Sequence, residues 1–349
     1  MTGDPVRLTL LVPGLFGPGT GPADGRAPGG PGLAGLPNPS GARRTALAQL
    51  LTRADRWPEP ADADALRYRL CGYALPEGQD RPDAWLSYQM DVGATVPDAL
   101  LRADPVHLRA DRSHLVLFDG AHLQIVDAEV QALAAAFNMH YAADGMRLEF
   151  ATPVRGYLHL PRQPDMRTTP LARASGHDID ASLPSGPDAR DWHRFLNEVQ
   201  MLFHEHPVNR EREARGRPLI NSLWLWGGGP PLAAGASDWQ GVWCEDTVLQ
   251  GLARLNGIPC ADPPTDVRAW LHELVGGNHL VCLDGLRSAV AYGDVESWLA
   301  ETGRFEQDWF TLLLQALRDR RLRELTLYPD DGQGYRITRG AWWRFWRRP

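Results

Sequence analysis

The apolar run in RLTLLVPGLFGPGTGP (7–22) ends at Pro13-Gly14 and predicts a buried first strand, followed by a loop of Gly and Pro extending to about residue 40. TALAQLLTRAD (45–55) has helical spacing, with Thr45 placed to start the helix. A polar stretch rich in Asp and Pro comes next. In 99–125 two short alternating runs flank turns at Ala110-Asp111-Arg112 and Asp119-Gly120, the pattern of a small antiparallel meander. Residues 126–145 read as a helix ending at a glycine, and 146–160 as two strands around a Thr-Pro turn.

Residues 185–207 place Trp192, Phe195, Leu196, Val199, Leu202 and Phe203 on one helical stripe, with Ser185 or Asp188 as cap and Pro207 as the stop. INSLWLWGGGPP (220–231) alternates like a strand and then loses every Cβ over three glycines. Such a turn suits the mouth of a ligand site, and equally a tight bend beside a packed neighbour. Helix and strand signals alternate from there to LRELTLYP (322–329), as in a parallel sheet flanked by helices. The expected fold is α/β, with residues 1–103 and 219–349 forming a discontinuous core and 104–218 an inserted α+β domain.

The 349 residues are 43% hydrophobic and carry a net charge of −7, which supplies a sizeable core and argues against a nucleic-acid footprint. No apolar run approaches the roughly 20 residues of a membrane span, and no secretory leader pattern is present. The reading is a soluble, cytoplasmic protein. Its four cysteines are scattered without CxxC spacing, as free thiols would be. All 36 basic side chains are arginine, which excludes lysine Schiff-base chemistry and suits bidentate recognition of anions.

His204 and His206 point to different faces of a continuous helix, so they do not share a metal there. NREREARGR (209–217) gathers four arginines just ahead of the glycine turn, where an anion contact is open beside a plain solvated face. RGAWWRFWRRP (339–349) mixes tryptophan with arginine, a pattern open to membrane or RNA contact but read first as a terminal strand or helix docked on the core with its arginines reaching water; it also offers a contact surface for a protein partner.

The order of these motifs resembles the archaeal-type cofactor-independent phosphoglycerate mutases of the alkaline phosphatase superfamily. It also resembles their bacterial relatives described as regulatory proteins of pathogenicity-factor type. RTTPLARASGHDIDASLPSGPDA (167–189), HPVNREREARG (206–216) and NSLWLWGGG (221–229) carry the resemblance, supported by LCGYALPEG (70–78), DPVHLRAD (104–111) and 293–317. It implies an alkaline-phosphatase-like sheet with an inserted substrate-facing domain, and makes the WLWGGG strand the re-entry into the core. Ligand-side residues match: Arg109, Thr168, Thr169, His206, Asn209, Arg212, Gly216, Asn221, Trp224, Trp226 and Gly227.

The catalytic side does not match. Those mutases use a serine nucleophile beside two divalent metals, which lower its pKa and neutralise the transferring group. Here Pro13 and Gly17 stand at aspartate positions, Ala63 at the serine's, followed by Asp64, and only Asp284 and Asp294 offer carboxylates in the late metal segment. Asp330-Asp331 replaces an Asp-His pair. The expectation is a pseudoenzyme without catalytic residues, metal ligands or cofactor, binding a phosphorylated metabolite such as phosphoglycerate, or a protein partner, in a regulatory role. The alternative is an active mutase or phosphatase that takes Mn or Zn and uses Thr45, Asp64, Asp330 and Asp331.

Overall fold

The computed structural model describes residues 5–18, 45–76, 78–93, 95–111 and 114–340. The expected Gly/Pro loop, the Arg112 turn position and residues 341–349 of the arginine-tryptophan tail lie outside them. In chain order the strands are β1 (Val6–Leu11), β2 (Asp55–Pro58), β3 (Leu100–Asp111), β4 (His114–Asp119), β5 (Arg147–Thr152), β6 (Arg155–His159), β7 (Ser222–Trp226), β8 (Trp239–Trp243), β9 (Cys260–Ala261), β10 (Gly277–Cys282), β11 (Leu322–Tyr328) and β12 (Gln333–Thr338). The helices are α1 (Ala46–Arg53), α2 (Ala63–Leu70), α3 (Asp83–Asp91), α4 (Gly120–Leu123), α5 (Asp127–His140), α6 (Leu171–Ala174), α7 (Ala189–His204), α8 (Pro207–Ala214), α9 (Thr247–Leu255), α10 (Val267–Glu273), α11 (Arg287–Ala291), α12 (Val295–Phe305) and α13 (Thr311–Arg318).

Two compact units divide the chain: Met1–Tyr73 with Ala234–Pro349, and Ala74–Ala233. The first unit holds a seven-stranded sheet in the order β2-β12-β11-β1-β10-β8-β9. From β11 through β9 the pairing is parallel; β12 alone runs the other way, pairing antiparallel with both β11 and β2. The expected α/β class with a mainly parallel sheet is what the structure has. Leu8 and Leu10 of β1 and Val281 of β10 are buried with Leu325 of β11 and Phe310 in one core. Thr45 caps α1 through its hydroxyl, which accepts from the Ala48 amide at 3.1 Å. Burying such a polar cap with its bond made costs little.

The second unit is an antiparallel sheet in the order β4-β3-β6-β5, with β7 also paired to β3. Its core joins Phe137 of α5 to Phe195, Val199 and Phe203 of α7. Here the structure corrects two expectations. The strand of WLWGGG does not enter the parallel sheet: Ser222–Trp226 pairs with Val106–Arg102. The unit therefore extends to 74 and 233 rather than 104 and 218, because β3 is long enough to accept β4, β6 and β7 along its length. Pro207 also does more than end α7. It opens α8 from the first helical position, where its missing N–H costs nothing.

Candidate functional site

In an open parallel sheet, ligand-contacting residues gather beyond the carboxyl ends of the strands. In the first unit, that edge collects Asp246 after β8, Asp284 after β10 and Asp330 after β11. Helix α2 adds Asp64, 3% exposed, from its first turn. Four carboxylates brought together in a poorly solvated place need counter-charge.

Two arginines supply it. Arg67, 3% exposed, lies 3.2 Å from Asp64 and also pairs with Asp246. Arg287 reaches Asp64 at 3.1 Å and Asp284 at 2.5 Å. Burial works against the Arg287 charge, but Asp284 and Asp64 outweigh it and hold its proton more firmly than usual. The Asp330 carboxyl is raised to about 6, first by burial and then by Asp64 and Asp62, against the pull of Arg287 and of the Ala63 amide, which donates to it. The Cys282 thiol, 3.3 Å from Asp284, is raised well above its ordinary range, first by burial and then by that carboxylate.

Ala63 is the first residue of α2, and Asp62 caps the helix by accepting from Ala65 at 2.9 Å. The side chain that enters this edge from position 63 is a methyl. Beyond β1 the closure is apolar: the Trp298 indole donates to the Gly14 carbonyl at 3.0 Å, and a Cβ on Gly17 would meet the same ring at 3.1 Å.

The two divalent metals that the resemblance implies do not fit these donors. Arg67 and Arg287 already direct their guanidinium groups at Asp64, Asp246 and Asp284. Asp294 is spent capping α12, and Asp331 accepts from Tyr335 at 2.7 Å and from the Gln333 amide at 3.0 Å. Among the described residues, no three His, Cys, Asp or Glu side chains form a group able to hold an ion.

The second unit has its own cavity, about 390 Å³, lined by Arg81, Arg167, Thr168, Thr169, Arg173 and Gly227 among others. Gly227 turns with φ +77°, and its amide donates to the Thr168 hydroxyl at 3.0 Å. That hydroxyl donates to Asp80 at 2.6 Å, and the Gly228 amide reaches the same carboxylate at 3.2 Å. Burial raises the Asp80 pKa against these hydrogen bonds. The glycine turn thus presents its first two amides to the chain's own oxygens.

The structure brings Thr168, Thr169 and Gly227 together, with Trp224 bonded to the same segment, and leaves the other candidates elsewhere in the unit. Asn209, 1% exposed, donates to the carbonyls of Phe203 and Ile220 and accepts from the Ile220 amide. Arg212, equally buried, spends its fork on Pro218, Glu129 and Leu123. Asn221 clamps both backbone groups of Leu108 at 2.8 and 2.9 Å. His206 caps α8, and Arg109 lies over the Phe118 ring at 4.5 Å. The Trp224 indole donates to the Thr169 carbonyl at 2.8 Å, while Trp226 donates to Asp104 at 2.8 Å. Arg67, Asp246, Arg287 and Asp80 carry no local motif. Only the arginine-for-lysine composition hinted that guanidinium groups would matter.

No protein-family model matches the chain. It is 31% identical over 177 residues to the "Probable 2,3-bisphosphoglycerate-independent phosphoglycerate mutase" of Geobacter sulfurreducens, covering 49% of this chain and 43% of that one. It is 24% identical over 178 residues to the 2,3-bisphosphoglycerate-independent phosphoglycerate mutase of Methanosarcina mazei, covering 49% and 42%. Its relatives are cofactor-independent phosphoglycerate mutases. The matched region spans less than half the length of these mutases. Among solved structures, the PH0037 protein of Pyrococcus horikoshii has the same fold, with a TM-score of 0.50 and 14% identity over 97% of this chain and 88% of that one. No helix among the described residues is long and apolar enough to cross a membrane.

Proposed function

We propose that this chain is a non-catalytic relative of the cofactor-independent phosphoglycerate mutases, close to their regulatory bacterial branch, and that it binds a phosphorylated metabolite. One observation carries the reading: Arg67 and Arg287 pair with Asp64, Asp246 and Asp284 at the carboxyl edge of the sheet, beside a methyl at position 63. Phosphoryl transfer of the mutase kind needs an attacking oxygen and mobile cationic help for the transferring group. A guanidinium tied to two carboxylates supplies neither the oxygen nor an open coordination position.

The ligand reading rests on the second unit. Arg81, Arg167 and Arg173 line its cavity together with Thr168 and Thr169, and a forked cation suits phosphate oxygens. Calorimetric titration with 2- and 3-phosphoglycerate tests this, using the native chain and Arg167→Ala. The proposal expects binding that weakens about tenfold in the variant, a change on the order of 1.4 kcal/mol. Absence of heat at millimolar ligand rejects it.

A further inference from the structure

The fold gives two of the dispersed cysteines a relationship that their positions in the chain conceal. Parallel pairing of β8 with β9 sets Val242 opposite Cys260 and Trp243 opposite Ala261. The Cys244 amide continues the ladder by donating to the Ala261 carbonyl at 2.9 Å. Residues two apart on a strand share a face, as do residues directly opposite on neighbouring strands. Cys244 and Cys260 therefore project from one side, a diagonal step apart, with their Sγ atoms 3.9 Å from each other.

Their surroundings differ. Cys260 is exposed, whereas Cys244 is buried, with its Sγ 3.7 Å from the Asp246 carbonyl. A hydrogen bond from the Cys244 thiol draws the Cys260 pKa below its ordinary value. The same contact, reinforced by burial, holds Cys244 in the thiol form. An exposed sulfur that ionises first, touching a buried thiol that stays protonated, pairs an attacking cysteine with a resolving one. Cys71 and Cys282 are buried; burial pushes Cys71 up to about 12 and Cys282 well above its ordinary range, so neither competes for oxidant.

We propose that Cys260 and Cys244 form a thiol-oxidation site that a hydroperoxide converts to an intrachain disulfide. The Cys260 thiolate attacks one peroxide oxygen and the O–O bond breaks. Sulfur becomes a sulfenic acid, and the other oxygen leaves as hydroxide or alkoxide. The Cys244 thiol then attacks the sulfenic sulfur, so that an S–S bond forms, the S–O bond breaks, and the hydroxyl departs as water with the thiol proton. The two sulfurs together give two electrons to the peroxide.

A disulfide is about 2.05 Å long, so the sulfurs must close by about 2 Å. The strand that has to move suits this: β9 has two residues and lies at the sheet edge. The new bond also withdraws the Cys244 thiol from the Asp246 carbonyl. Asp246 caps α9 and pairs with Arg67, so the oxidation site adjoins the charged edge of the sheet.

The test treats the reduced, full-length chain with hydrogen peroxide, counts thiols after denaturation, and maps unreduced peptides by mass spectrometry. The expected result is a fall from four thiols to two, with one peptide pair joining 244 to 260. Cys244→Ser is expected to leave a sulfenic acid on Cys260 that dimedone traps, and Cys260→Ser to keep its three thiols. Linkage through Cys71 or Cys282, crosslinks only between chains, a sulfinic acid on native Cys260 without linkage, or no loss of thiols would each overturn the proposal.

Discussion

Arg287 Nη1 lies 3.1 Å from Asp64 Oδ1, although 223 residues of chain separate the two. The same carboxylate oxygen is 3.2 Å from Arg67, so one buried aspartate serves two guanidinium groups. An arrangement of this kind is costly to assemble, since both signs of charge leave water. It is costlier to break, because a lone buried charge keeps the penalty and loses the compensation.

Arg67→Met removes one partner from both Asp64 and Asp246 and is expected to lower unfolding free energy by about 3–5 kcal/mol. Urea unfolding followed by circular dichroism measures it. Adding Asp246→Asn is expected to recover part of the loss, because the carboxylate whose ion pair was with Arg67 is then neutral, whereas Asp64 keeps Arg287. A change below about 1 kcal/mol in the single variant would mean the pairs contribute little.

Asp330 gives the charged edge a pH dependence of definite sign. Its carboxyl is raised from 3.8 to about 6, chiefly by burial. The folded state therefore binds this proton more tightly than the unfolded state does. The stabilisation is complete below pH 3.8 and is lost as pH climbs through about 6. The difference is on the order of 3 kcal/mol at most, less for the water that reaches this partly buried group. Asp330 also holds φ +66°, which asparagine tolerates well. Asp330→Asn is expected to raise stability at pH 7.5 by about 1–2 kcal/mol and to flatten the profile between pH 4 and 6; chemical denaturation across that range checks it.

In the second unit, Asp104 is fully buried and accepts from Arg102 at 2.6 Å, from Trp226 at 2.8 Å and from the Gly156 amide at 3.2 Å. Asp104→Ala strands Arg102 between Tyr157 and Trp226 and is expected to cost about 3–5 kcal/mol. Trp226→Phe loses one indole hydrogen bond and is expected to cost about 1–3 kcal/mol. Thermal unfolding of the two variants should rank them in that order.

Gly227→Ala tests the glycine turn. A Cβ there would meet the Ala84 nitrogen and the Asp83 Cβ at 2.9 Å, with φ fixed at +77°. The strain is expected to cost about 1–3 kcal/mol and to disturb the amide that donates to Thr168, so stability and phosphoglycerate binding should fall together.

Local patterns revealed much of this fold. Thr45 announces α1, the apolar run from Leu8 announces β1, and the stripe from Trp192 to Phe203 announces α7. Helices α2 and α3 stayed hidden because charged residues sit on their buried faces: Asp64 and Arg67 on one, Asp83 on the other. Where polar pairs replace apolar contacts, hydrophobic periodicity loses its signal. The strand character of Leu223–Trp226 was legible, but not its partner β3, since strand pairing is a long-range choice. The same distance concealed the edge chemistry: Arg67 meets Asp246 across 179 residues, and no spacing rule joins them. The resemblance offered Asn209, Arg212 and Asn221 as ligand-side residues; in the structure their side chains bond backbone groups of the chain, and Arg212 also reaches Glu129.

The most direct test of the central claim is a manganese titration of chelator-treated protein, with bound ion counted by electron paramagnetic resonance. If guanidinium groups hold the carboxylates of the sheet edge, no stoichiometric Mn²⁺ binding appears below millimolar concentrations. One or two ions per chain bound at micromolar concentration, and lost in Asp64→Asn, would contradict the account.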